Sequence, residues 1–176
     1  MDFRNSRTYQ NLVDALHFEL TSKALYDIYS SQALREEYVE ISRVFDIFSR
    51  NDLEHARIWM RLLNGGTLPN TLENLEASVQ RISGNPYGEY ALIAREEGYD
   101  EIASLFGGMG IIDANQDTTF DTFINEINTN QVFCKEEETL WICQACGNIM
   151  AGECAPEICP VCGYPQGYYR VFDCVL

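Results

Sequence analysis

The sequence predicts a mainly α protein, an up-and-down bundle of four long helices followed by a small metal-binding domain. Three observations predict it. Apolar residues recur at helical spacing from about Ser6 to Ile127. Helix-ending or helix-bending signals fall at a few places in that region, at Gly65-Gly66, Gly84-Asn85-Pro86 and Gly98. After Asn130 the helical period stops, and two close pairs of cysteines appear.

Each element follows in order. A first helix is predicted from Ser6 or Thr8 to near Leu34, and a second from about Arg35 to Leu63, stopped by Gly65-Gly66. Thr71 and Asn74 offer capping chemistry for a third helix, which Gly84-Asn85-Pro86 should interrupt or bend before it resumes through Tyr90, Ala91 and Ala94. A fourth helix runs from near Asp100 to about Asn128. Val132-Phe133-Cys134 and Leu140-Trp141-Ile142 read as short strands around a charged turn. These changes set the expected domains at 1–130 for the bundle and 131–176 for the cysteine region.

The totals exclude several function classes. The chain has 176 residues, 46% of them hydrophobic and 22% charged, a soluble globular composition. Its net charge of −15 argues against a nucleic-acid partner, whose phosphates it would repel. No run approaches the roughly 20 apolar residues of a membrane span, and the N-terminus lacks a secretory layout. A cytoplasmic protein is expected. Seven cysteines in such a setting read as a metal site rather than a disulfide framework.

Cys143-Gln-Ala-Cys146-Gly and Cys159-Pro-Val-Cys162-Gly are two Cys-x-x-Cys knuckles separated by twelve residues. Each knuckle turns both sulfurs toward one centre, and the glycine that follows permits the twist that aims amides at them. Together Cys143, Cys146, Cys159 and Cys162 make a closed tetrahedral thiolate site. Tetrahedral sulfur suits structural zinc and one-electron iron alike, so spacing leaves the metal open. Cys134, Cys154 and Cys174 are expected as free, partly buried thiols.

Trp141-Ile-Cys-Gln-Ala-Cys-Gly with Ala155-Pro-Glu-Ile-Cys-Pro-Val-Cys-Gly-Tyr-Pro-Gln resembles the rubredoxin-like tail of the rubrerythrins. Asn51-Asp-Leu-Glu-His-Ala resembles that family's second-helix motif, and Ala94-Arg-Glu-Glu-Gly-Tyr-Asp-Glu-Ile-Ala its junction between third and fourth helices. The resemblance covers nearly the whole chain in order. It implies a ferritin-like four-helix bundle with a rubredoxin-like domain, and iron rather than zinc at the four cysteines. It also implies an oxidoreductase that reduces peroxide at a dinuclear iron site fed by the cysteine-bound iron. A homodimer and a separate electron-donor reductase follow from it, and the sequence carries no Gly-rich dinucleotide motif of its own.

The dinuclear site demands one Glu from each of two helices and a Glu-x-x-His pair from each of the others. Glu19 matches the first-helix ligand on the stripe Leu12, Leu16, Glu19, Tyr26. Asp52 and His55 stand where the family has Glu-x-x-His, within the stripe Ile41, Val44, Phe48, Asp52, His55, Trp59, Leu62. Asp reaches about 1.5 Å less far than Glu. A histidine on an apolar face is equally explained as a satisfied core residue. On the third helix the family's carboxylates align with Val79 and Ile82, both apolar. On the fourth, Asp113 and Gln116 occupy the ligand positions, and Gln is a weak neutral ligand.

Glu19, Asp52, His55 and Asp113, with Gln116, could therefore hold one divalent ion, while two ions would carry an uncompensated charge of about +1. A metal-free hydrogen-bond network is the alternative. The functions this leaves are a peroxide-reducing iron protein, an electron carrier or redox sensor whose bundle lacks a dinuclear centre, and a structural zinc ribbon.

Overall fold

The computed structural model describes residues 2–172; the expected free thiol Cys174 lies outside them. Helices α1 (Arg7–Arg35), α2 (Val39–Leu63), α3 (Thr71–Ser83), α4 (Tyr87–Glu96) and α5 (Asp100–Asn128) precede strands β1 (Cys134–Cys143), β2 (Ile149–Cys154) and β3 (Tyr169–Val171). The chain divides into two compact units, 1–70 and 71–176. The change from helix to strand falls between Asn128 and Cys134.

In the first unit, the Ser6 side chain caps α1 by accepting the Tyr9 N–H at 3.1 Å. Three contacts fix the packing of α1 on α2. The Ser30 hydroxyl donates to the Ser42 carbonyl at 3.0 Å, the Ser49 hydroxyl donates to the Asp27 carboxylate, and His55 meets Glu19. Partner numbers rise on α2 as they fall on α1, so the two helices run antiparallel. The seam is lined with small side chains, Ala33, Ser42, Ser49 and Ala56, all buried.

Within the first unit, α2 meets α1 on a row different from the large apolar one. Ile41, Val44, Phe48 and Leu62 stay exposed, and the buried row is Ser42, Ser49 and Ala56 with Phe45 and Asp52 half-buried. Small residues win the interface because they let two helix backbones approach closely.

In the second unit, the third predicted helix is two helices. Gly84-Asn85-Pro86 separates α3 from α4, because proline removes an N–H and disfavours helix in the residue before it. Both pieces pack on α5. Leu72, Leu75, Val79 and Ile82 form the half-buried row of α3, with Glu76 and Glu89 exposed. The Phe106 ring lies 6.1 Å from that of Tyr87 and 5.5 Å from that of Tyr90, tying α4 to α5.

The strands form one antiparallel sheet in the order β2-β1-β3. Thr139 pairs with Gly152 and Cys134 with Cys154, so five steps along β1 match two along β2, and residues 135–138 bulge out. The Lys135 ammonium in that bulge pairs with Glu126 of α5. Trp141 is fully buried at the centre of a small core with Cys143, Ala155, Cys159 and Tyr169. Its indole N–H donates to the Gly152 carbonyl at 3.0 Å.

Candidate metal centre

The two knuckles are built by the same backbone pattern. In the first, Gly147 N–H donates to the Cys143 carbonyl at 2.8 Å, and Cys143 N–H to the Asn148 carbonyl at 2.8 Å. In the second, Gly163 N–H donates to Cys159 at 2.9 Å, and Cys159 N–H to Tyr164 at 2.8 Å. Gly147 at φ +77° and Gly163 at φ +74° occupy the left-handed region that a side chain would disfavour. The turn they allow brings both sulfurs of a knuckle to the same side.

The four sulfurs converge. Cys143 Sγ lies 3.7 Å from Cys162 Sγ, Cys146 Sγ lies 3.7 Å from Cys159 Sγ, and all four fall within 4.8 Å of one another. A tetrahedron with metal–sulfur bonds of about 2.3 Å has sulfur–sulfur edges of about 3.8 Å. The donor set therefore fits one tetrahedral ion.

Backbone amides support the charge this requires. Amide N–H groups of Asn148, Val161, Cys162 and Tyr164 are directed at sulfurs of the site. The Tyr169 hydroxyl is buried, makes no hydrogen bond of good geometry, and interacts electrostatically with the Cys159 sulfur. That hydroxyl, with the Cys162 and Val161 amides, holds the Cys159 thiol down at about 6 against its burial. The Tyr164 amide pulls Cys162 down as well, yet burial and the neighbouring sulfurs of Cys146, Cys159 and Cys143 push it up to about 12. Cys146 also ends above its usual range: the Asn148 amide and Cys162 lower it, but burial and the other two sulfurs outweigh them. Such crowded thiols share few charges until a cation compensates them.

A second group forms on the α1–α2 pair. His55 Nδ1 lies 3.2 Å from Glu19 Oε2 and 3.8 Å from Asp52 Oδ1, and the three ligand atoms lie within 4.8 Å of one another. The His55 side chain is 51% exposed, against 17% for Glu19 and 15% for Asp52. In the first unit, His55 is the more exposed member of a group with two half-buried carboxylates. Burial first, then the Glu19 charge, raise the Asp52 carboxyl above its ordinary range, against the pull of His55.

Asp113 and Gln116 lie on α5, in the second unit. Asn85 Nδ2 donates to Asp113 Oδ2 at 2.9 Å, and Asn85 Oδ1 accepts the Tyr87 N–H at 3.2 Å. Asp113, Gln116, Asn85, Ile82 and Arg81 line a cavity of about 500 Å³ between α3, α4 and α5. Asn85 was missed in the sequence because it sits in a helix break. The break itself was the signal, since the interrupted helix frees its side chain to cap α4 and reach α5.

Comparison with known proteins decides the family. A rubrerythrin family model matches residues 10–83, and a model for the rubredoxin-like domain of rubrerythrin matches residues 141–170. The rubrerythrin of Nitratidesulfovibrio vulgaris is 31% identical across 96% of this chain and 95% of its own. The chain belongs to the rubrerythrin family. The rubrerythrin of Clostridium perfringens is likewise 31% identical, over 96% of both chains. A nigerythrin structure in a mixed-valence state aligns with 95% of this chain and 87% of its own at 21% identity and a TM-score of 0.34.

Membership gives this rubrerythrin relative the family's fold class, a ferritin-like helical bundle followed by a rubredoxin-like domain. Family and four-cysteine site together support a non-haem iron redox protein. No helix among the described residues is long and apolar enough to cross a membrane.

One expectation is overturned at the sulfurs. Cys134 and Cys154 are not free thiols: they form a disulfide across β1 and β2. The bulge at 135–138 brings together two cysteines twenty positions apart, a pairing that spacing alone does not announce.

Proposed function

We propose that the protein is a one-electron iron carrier of the rubredoxin type whose electrons serve hydrogen peroxide reduction. The observation that carries this reading is the four-sulfur tetrahedron with amide donors on its thiolates. Cys143, Cys146, Cys159 and Cys162 would hold the iron, which supplies reversible exchange of one electron without a change of ligands. Tyr169 and the knuckle amides stabilise negative charge on the sulfurs, and Trp141 and Ala155 keep water from the inner side. Residues 1–130 supply the bundle and 131–176 the electron-carrying domain.

Glu19, Asp52 and His55 are assigned to a single divalent ion on the first unit, with two carboxylates and one imidazole as its protein ligands. Reduction of one peroxide to two waters consumes two electrons and two protons, so it draws on the cysteine site twice. A separate reductase supplies them, because the chain has no dinucleotide-binding fingerprint. The thiolate chemistry suits a reducing compartment such as the cytoplasm. Exposed Ile41, Val44, Ile47, Phe48, Ile58 and Leu62 support assembly with a second copy of the chain.

A second reading is favoured by α3 and α5. Val79 and Ile82 are half-buried and apolar, Asp113 is engaged by Asn85, and among the described residues no candidate metal-ligand group draws on α3 or α5. Under it the protein is an electron carrier or redox sensor. Metal analysis after anaerobic purification, with the visible spectrum and a peroxide turnover assay, separates the two. One cysteine-bound iron, one bundle metal and multiple turnovers are expected. Stoichiometric oxidation alone selects the carrier, and a colourless protein with one zinc rejects both.

A further inference from the structure

Cys134 and Cys154 lie outside the metal site, yet their disulfide abuts it. Cys154 directly precedes Ala155, which is buried with Cys143 and Cys159, and Phe133 beside Cys134 packs on the same core. We propose that this pair is a redox-active dithiol/disulfide couple, a two-electron site that an external dithiol opens and hydrogen peroxide closes.

Three observations carry it. First, the same domain gathers four sulfurs that must be thiolates to bind metal, so it works where thiols stay reduced. Disulfides found in such surroundings are transient, catalytic or sensing rather than structural. Second, the two sulfurs are unequally reachable: Cys154 is exposed, and Cys134 half-buried. An attacking thiolate therefore meets Cys154 first. Third, the hairpin does not depend on the bond. Ladder pairs from Thr139 to Ile142 hold β1 on β2, and the Trp141 indole bonds Gly152. Ala155 N–H donates to the Phe133 carbonyl at 2.8 Å, and Gln166 Nε2 donates to the Ala155 carbonyl at 2.6 Å. These bonds keep the strand ends together when the sulfurs part.

The chemistry balances. A dithiol's thiolate attacks Cys154 Sγ, the Cys134–Cys154 bond breaks, and Cys134 leaves as a thiolate that takes up a proton. The dithiol's second sulfur then attacks its own half of the mixed disulfide and releases Cys154. Two electrons and two protons pass to the chain, and the dithiol becomes a disulfide. In the return direction, two thiols and one hydrogen peroxide give the disulfide and two waters.

The test counts thiols on the metal-loaded full chain, as iron protein and as zinc protein. Each is treated anaerobically with dithiothreitol, labelled with N-ethylmaleimide under native conditions and weighed intact. The expected result is a gain of two labels per chain with the metal retained, reversed by one equivalent of hydrogen peroxide. C154S should show no peroxide-reversible pair. Zinc passes no electrons, so an identical result in the zinc protein keeps this outcome separate from any failure of the iron assignment. The proposal is overturned if no label is gained while metal is retained, which marks a structural bond. It is equally overturned if opening the pair expels the metal, or if peroxide leaves both thiols labelled.

Discussion

At the scale of single residues, the two candidate centres differ in how charge is compensated. Around the four cysteines, the fold supplies hydrogen-bond donors. Tyr169 is the one side-chain hydroxyl among them that lowers Cys159, and it was not singled out from sequence because β3 places it beside Cys143 only through long-range pairing. Tyr169→Phe removes that donor. A hydroxyl dipole near a thiolate favours the electron-richer reduced state, so its loss should lower the reduction potential of cysteine-bound iron by on the order of tens of millivolts. Protein-film voltammetry measures this, and an unchanged potential would dismiss the contact.

Around Glu19, Asp52 and His55 the fold supplies mainly negative charge, and the titration of Asp52 reports it. Its carboxyl is raised by burial and by Glu19, so the folded state holds this proton more tightly than the unfolded chain does. That contribution is fully present below the unfolded value of 3.8 and is lost as pH rises through the raised folded value. In metal-free protein, Asp52→Asn should therefore gain thermal stability relative to the parent as pH rises through that window. The same variant should bind a divalent ion at least tenfold more weakly, since one of three ligands has lost its charge. Calorimetric scans across pH and a metal titration check the two halves.

At the scale of elements, legibility followed the strength of local signals. Helix ends were readable because Ser6, Gly65-Gly66 and Gly98 act within a few residues of the chain. The break at Gly84-Asn85-Pro86 was equally local. The row of α2 that meets α1 was not readable. Two rows run along that helix about 100° apart, one of large apolar residues and one of Ser42, Ser49 and Ala56, and in the first unit α1 lies on the second. The disulfide was hidden for the same reason, since a bulge in β1 decides which residues meet.

Helix α5 offers a prediction at this scale. A Cβ at Gly107 or Gly108 would meet nothing within 4 Å, and neither glycine has a positive φ. Both thus loosen a helix without a local steric reason. Gly108→Ala should stabilise the protein by about 1 kcal/mol, raising the melting temperature by about 2–4 °C. A fall in melting temperature would instead mark this glycine as a site of close approach by another helix.

At the scale of the whole molecule, the two kinds of unit draw stability from different sources. The helices bury long seams, such as Ala33, Ser42, Ser49 and Ala56 between α1 and α2. The strand domain has a fully buried core of five residues, two of them metal-site cysteines. So few buried side chains cannot offset the chain entropy of a domain of about 45 residues. Its fold must then be coupled to metal binding, with the ion's binding energy serving as folding energy. Stripping the metal from full-length protein with a chelator should abolish the protection of Trp141, exposing an indole that is now 0% accessible. Its fluorescence should shift to the red. The helical far-ultraviolet signal should fall by less than a tenth, because α1 to α5 contain none of the four ligands. Restoring zinc alone should recover the buried indole, since tetrahedral sulfur coordination rather than redox activity closes the domain. If the indole stays buried after the metal is gone, the strand domain carries its own stability and the coupling is refuted.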